Sequence, residues 1–323
     1  MPMIVQNKGD KGNPYHDEEG KFTTADDVTD GEHTIRTSNP LKISKKIDGQ
    51  PPREKTELEK YYQEFKNRKN VKPVTEMSQE ELLKENSETL TYLKSKGIDL
   101  SETKDLFNGD LKLKCANLRS LKEAYDKMNL DFSGLKISKN GRLKTCAGRA
   151  QSSLGEFTRR YNNNFEAIYR YSFGTEIQMS GGYFSSYDFV LQHAKGEAVS
   201  GYKAKVEDEK YLGYTMVHEF GHIVHAKILE DKFGGKNEFT RREFDEEKYR
   251  INDKIIREIY SEFQDEYPGV SYINFYNQTS GYSRTNMHEW FAENYISLMG
   301  GTPTSTAKAF GKWLVKNGYM KGE

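Results

Sequence analysis

Four of the chain's seven histidines fall in two short segments. The first reads Tyr214-Thr-Met-Val-His218-Glu219-Phe-Gly221-His222-Ile-Val-His225 and contains His-Glu-x-x-His. Its apolar residues Val217, Val224 and Leu229 recur at helical spacing, which predicts a packed amphipathic helix. Residues four apart on a helix share a face, so His218 and His222 can bind one Zn²⁺ at about 2.0–2.1 Å each. Glu219 is rotated by about 100° from His218 and flanks such a metal. A carboxylate there can take a proton from an attacking water, the metallopeptidase assignment of this motif. Gly221 costs the helix about 1 kcal/mol against alanine, which points to something approaching its backbone closely. His225 shares the face of the pair but lies too far along the axis to join them, so it is expected to support a ligand or pack in the core.

A catalytic zinc site needs a third protein ligand. The second segment, Ser280-Gly-Tyr282-Ser-Arg284-Thr-Asn286-Met-His288-Glu289-Trp-Phe-Ala-Glu293, runs on to Met299. Thr285 or Asn286 can cap a helix there. Met287, Phe291, Ala292, Tyr295, Ile296 and Leu298 cover about half its circumference, so the helix is expected to be buried. Glu289 and Glu293 sit together at the edge of that apolar arc. Two carboxylates near a core require a cation or hydrogen-bond donors. Glu289 is assigned as the ligand and Glu293 as the acceptor that orients a ligating histidine; the swapped assignment stays open. Arg284 is expected to be structural and His288 to lie at the surface. His16 and His33 fall in polar sequence.

These segments need a scaffold. Residues 1–57 hold only 12 hydrophobic residues, too few to offset the cost of ordering them, so 1–53 is expected to be a disordered tail or linker. A helical arm is expected over 54–109, with helices at 54–69 and 78–96, the latter opened by Ser78 with Glu81 three residues on. The main domain is placed at 110–323. It starts with an amphipathic helix from Leu111 to Met128. Leu135 to Cys146 reads as a hairpin turned at Asn140-Gly141, Arg159 to Tyr171 as a helix, and Glu176 to Met179 as a strand ended by Gly181-Gly182. Strands followed by helices give an α+β class. The charged run Asn237 to Arg250 reads as a helical insertion.

The composition narrows the function. With 49 basic and 49 acidic residues the formal charge is zero, so attraction to nucleic acid or to an anionic membrane is not expected. No apolar run is long enough to span a bilayer, and the first residues lack the apolar region of a Sec signal. A cytoplasmic or virion-associated place is expected. Cys115 and Cys146 make neither a disulfide scaffold nor a thiolate zinc site.

His218-Glu-Phe-Gly-His222 followed by Ser280-Gly-Tyr-Ser-Arg-Thr-Asn-Met-His-Glu-Trp-Phe-Ala-Glu293 resembles the catalytic domain of anthrax lethal factor, whose relatives include the Pro-Pro endopeptidases. The resemblance implies a zincin-like metallopeptidase domain: a small twisted sheet, an active-site helix and a C-terminal helical part. It implies zinc on His218, His222 and Glu289, Glu219 activating water, and Tyr282, seven residues before Glu289, assisting the oxyanion or leaving group. Asn13-Pro-Tyr-His-Asp-Glu-Glu-Gly-Lys-Phe-Thr-Thr24 is similar to a short element of bacteriophage structural proteins and implies a phage or mobile-element origin.

A zinc endopeptidase is therefore expected, acting on a protein or peptide as a processing enzyme or as a toxin, with phage virion proteins or host proteins as substrates. A peptide would add a strand to a sheet edge above the metal helix. The candidate edge is Glu176, Ile177, Gln178 and Met179; a buried hairpin is the competing reading of that segment. The alternative function is a phage assembly protein whose zinc only staples the fold.

Overall fold

A computed structural model describes residues 72–322, apart from 104–105, 108, 142, 144–146, 152–153 and 162–166, with the backbone alone for 154–161. The chain divides between Arg53 and Glu54. The expected tail, the phage-like element, the helix at 54–69 and Cys146 lie outside the described residues.

Helix α1, Gln79–Ser95, starts at a capping box in which Ser78 accepts from the Glu81 N–H while Glu81 accepts from the Ser78 N–H. Helix α2, Leu111–Asp126, is capped by Asp110. Both match the sequence because caps and apolar periodicity are local signals. There is no break at 110: Leu82, Leu93, Ile98 and Leu100 join the same core as Leu118 and Leu121 of α2. Cys115 is buried in that core, and burial pushes its thiol up to about 11.

Five strands follow: β1 Lys136–Asn140, β2 Gly148–Gln151, β3 Leu154–Tyr161, β4 Ala167–Tyr171 and β5 Glu176–Ser180. Helices α3, Tyr187–Val199, and α4, Tyr214–Lys232, come next, the latter entered through a 3₁₀ turn at Asp208–Gly213. After β6, Glu238–Thr240, the chain is helical: α5 Arg241–Glu266, α6 Tyr272–Tyr276, α7 Met287–Met299 and α8 Ser305–Lys316. The protein is α+β.

The strands make two three-stranded sheets, ordered β1-β5-β2 and β3-β4-β6. In the first, β5 runs parallel to β1 and antiparallel to β2. Two expectations change here. Asn140-Gly141 does turn, with the Leu143 N–H donating to the Asn140 carbonyl at 3.4 Å, but β5 lies between β1 and β2, so no hairpin joins them. Glu176–Met179 is consequently the central strand, paired on both sides, and cannot be an edge. Among the described residues, β2 is the edge on the side of α4.

Within the range expected to be helical, the described residues 159–161 and 167–171 are strand. Ile168, Tyr169 and Tyr171 are residues that favour a pleated, half-buried surface, and β4 pairs with β3 and with β6. The charged run at 237–250 is partly a strand: β6 occupies its start, and α5 begins at Arg241 behind a Thr240–Glu243 capping box.

Helices α4 and α7 form the centre. Nearly every residue from Tyr214 to Leu229 is buried, as is every residue from Trp290 to Met299. Each large apolar side chain so buried contributes about 1.5–3 kcal/mol. The helices cross at Gly221, where an added Cβ would lie 3.1 Å from Tyr295 Cβ and 3.2 Å from Ala292 Cα. This is the close approach that glycine in the middle of the helix foretold.

Candidate metal centre

The crossing brings the two motif segments face to face. Asn286 caps α7 by accepting from the His288 and Glu289 N–H groups at 2.9 and 3.0 Å. Glu289 thus occupies the first turn, where the helix dipole favours a carboxylate. Its Oε2 lies 3.1 Å from His218 Nε2 and 3.4 Å from His222 Nε2. These three side chains are the one group of candidate ligands among the described residues whose donor atoms all fall within 4.8 Å of one another.

The separations suit a small tetrahedral ion. Ligands held at 2.0–2.1 Å from a tetrahedral centre stand about 3.3 Å apart, close to the observed 3.1 and 3.4 Å. The charge balance points the same way. Burial opposes a proton on His218, yet contacts with Glu289 and Glu293 outweigh it and push the ring up to about 10. Burial alone would raise the Glu289 carboxyl, but hydrogen bonding to His218 and His222 holds it well below the usual range. Two buried carboxylates thus draw positive charge into this position. Two imidazoles and a carboxylate are a catalytic-type zinc donor set.

The two glutamates stand differently toward the histidine pair. Glu293 lies behind His218, its Oε1 2.9 Å from Nδ1, at ion-pair distance but off the line of the ring N–H. It is fully buried and accepts from the Ala204 N–H at 2.8 Å, the Ser280 hydroxyl at 2.7 Å and the Tyr214 hydroxyl at 2.9 Å. Three donors fix the carboxylate behind the ring. Tyr214 was not anticipated, although it lies four residues before His218 on the same helix face and its ring stacks at 6.2 Å on that imidazole. Ala204 contributes only backbone, so no side-chain pattern could have marked it.

Glu219 faces the sheet edge. Its Oε2 accepts the Ala150 N–H of β2 at 2.7 Å, and a Cβ on Gly148 would meet Glu219 Cγ at 2.8 Å and Oε1 at 3.0 Å. Gly148 is needed for this approach. Tyr282, in a 3₁₀ turn before α7, lays its ring 5.7 Å from that of His218 and 5.3 Å from that of Tyr202. Burial, then the neighbouring Glu289 carboxylate, raise its phenol, so the hydroxyl stays a donor.

Not every expected residue joins the centre. His225 donates through Nε2 to Asn252 Oδ1 at 2.7 Å and stacks at 4.0 Å on Phe291. It packs in the core and supports no ligand directly. His288 is half-buried rather than exposed: its Nδ1 lies 3.3 Å from His225 Nδ1, and burial, then Lys248, push it down to about 4. Of the expected substrate strand, Glu176 is held by Ser138 at 2.6 Å and by Gln178 at 2.9 Å, while Ile177 and Met179 are core residues. Arg284 donates to the Asn277 carbonyl at 3.0 Å and is structural, as expected.

The cleft opens on both sides of Glu219. One cavity of about 590 Å³ reaches Tyr183, His193, Glu197 and Lys203. Another of about 520 Å³ reaches Tyr171, Phe244 and Lys248. Both are lined by Gly148, His218, Glu219 and Tyr282. No helix among the described residues is long and apolar enough to cross a membrane. No protein-family model, curated protein or solved structure matches the chain.

Proposed function

We propose that the chain is a zinc-dependent endopeptidase with a zincin-like domain of the lethal-factor type. The observation that carries this reading is the convergence of His218, His222 and Glu289 beside a glutamate that lines a two-sided cleft.

His218, His222 and Glu289 would hold the metal. When bound, zinc acts as a Lewis acid on the scissile carbonyl and on water. The chain's own residues supply the rest. Glu219 accepts the proton of the attacking water through Oε1, its other oxygen being occupied by Ala150, and passes it to the leaving amine. Tyr282 donates its phenolic proton in a hydrogen bond to the oxygen that gains charge, an interaction that contributes a few kcal/mol in acyl-transfer sites. Glu293 keeps the His218 ring turned toward the centre. The substrate backbone lies along β2, the edge beside Glu219, in place of the central strand β5.

A stapling site is closed by four protein ligands, whereas a catalytic one leaves a position open. The converging set among the described residues has three members, which favours catalysis over the assembly-protein alternative. A phage or mobile-element origin, with virion or host proteins as substrates, belongs to the same proposal and rests on the tail element alone.

Zinc analysis paired with a proteome-wide cleavage screen tests the reading. Wild type and Glu219→Gln should both bind one zinc, and only wild type should generate new peptide termini. Identical peptide profiles from the two proteins would sink it.

A further inference from the structure

The two halves of the cleft differ in charge. In the cavity on the α3 side, Lys203 is neutralised by Glu197 at 2.7 Å. In the cavity on the α5 side Glu289 stands against His218 and His222, and two further cations are left apart from that group. Arg149 of β2 and Lys248 of α5 line it, and neither makes an ion pair among the described residues. Arg149 is exposed and Lys248 half-buried, its Nζ 5.4 Å from the Phe244 ring centre. Phe244 and Lys248 stand four apart on α5, so one helix face presents an apolar ring and a cation together.

Part of the cavity wall is apolar. Ile223, Ala226 and Leu229 of α4 form one side, and Tyr171, Phe173 and Phe244 the other. Phe244 lies flat on Tyr171 with ring centres 3.8 Å apart, and 5.5 Å from Phe233 at nearly the same tilt. A wall of stacked rings is rigid, so the pocket exists before anything enters it. It is continuous with His222, Glu219 and Glu289.

Resting on the peptidase reading, we propose that this cavity selects the substrate: it takes a large apolar side chain whose neighbour in the peptide is acidic. The ring wall and the α4 face desolvate the apolar group, and Lys248 and Arg149 pair with the carboxylate. Tyr171 of the second sheet and Phe244 and Lys248 of α5 lie outside the two motif segments.

The test uses the full zinc-loaded chain and a peptide library varied at two adjacent positions, read by mass spectrometry. Wild type should prefer Leu, Met or Phe followed or preceded by Asp or Glu. Arg149→Glu/Lys248→Glu should move the charge preference toward Lys and Arg by about tenfold in kcat/KM, the size expected for reversing rim charges. Ala226→Leu should move the apolar preference toward small residues. Preferences that both variants leave unmoved overturn the proposal while the peptidase reading stands. Should no peptide be cleaved, the peptidase reading fails, and binding decides the subsite. Fluorescent Leu-Asp, Ala-Asp and Leu-Lys peptides would then be titrated into Glu219→Gln protein. Leu-Asp binding at least fivefold tighter than the other two, and lost with Lys248→Glu, supports the subsite; equal affinities overturn it.

Discussion

Gly148 and Glu219 meet with no room for a methyl group between them: a Cβ on Gly148 would stand 2.8 Å from Glu219 Cγ. The edge strand and the proposed general base are therefore fitted to each other, and the Ala150 N–H, two residues along, holds the carboxylate in place.

Gly148→Ala should displace Glu219 without touching a metal ligand. A shift of about 1 Å in a reacting group can cost on the order of 10²-fold in rate. The expected result is a fall of that order in kcat with zinc stoichiometry unchanged, measured by steady-state kinetics and metal analysis on one preparation. Full activity would mean that Glu219 does not act from this position.

Glu293→Gln should weaken zinc binding by about 10–100-fold, the usual effect of losing a carboxylate behind a ligating histidine. Glutamine keeps the shape but turns an amide N–H₂ toward groups that already donate, namely Ser280, Tyr214 and Ala204. Competition against a chromophoric chelator measures the change, and near-UV circular dichroism checks that the core is intact. An unaltered affinity would contradict the role given to this carboxylate.

Lys203 and Glu197 form a mostly buried ion pair, with side chains 15% and 14% exposed. Burial works against the Glu197 carboxylate, but His193 and Lys203 outweigh it and hold its pKa below the usual value. A depressed carboxyl contributes stability above its unfolded pKa and loses it as pH falls through its folded pKa. Lys203→Met leaves that buried charge with only His193 beside it, which should cost up to about 3–5 kcal/mol in urea unfolding at neutral pH. Lys203→Met/Glu197→Leu should recover most of the loss, and the deficit of the single variant should shrink as pH falls and Glu197 protonates. A deficit independent of pH would point to lost packing instead.

The sequence revealed helices better than strand partners. The caps at Ser78 and Asn286, the pairing of His218 with His222, and the close approach at Gly221 are all set within a few residues of chain. Sheet order is not local: nothing in Lys136–Asn140 says that its neighbour is Glu176–Ser180, forty residues on. Placing β5 in the centre moved the candidate edge to Gly148–Gln151, a four-residue strand with a glycine and an alanine and little alternation to mark it. Arg159 to Tyr171 read as helix, and one strand partner of its Ala167–Tyr171 part, β6, lies beyond α4. In the site, the shared face of His218 and His222 was legible from spacing, whereas the donors around Glu293 come from three separate places in the chain.

The helix crossing at Gly221 also bears on which ions fit. Gly221 immediately precedes His222, and its neighbour Ala292 lies three residues beyond Glu289. The thickness of this one contact therefore sets how far the glutamate stands from the histidine pair, and hence the ionic radius that the donors can close around. Gly221→Ala would wedge the helices apart by a few tenths of an ångström, since Ala292 Cα is backbone and cannot swing aside. The preference should move from Zn²⁺ toward the larger Cd²⁺, as read in a direct competition between the two ions.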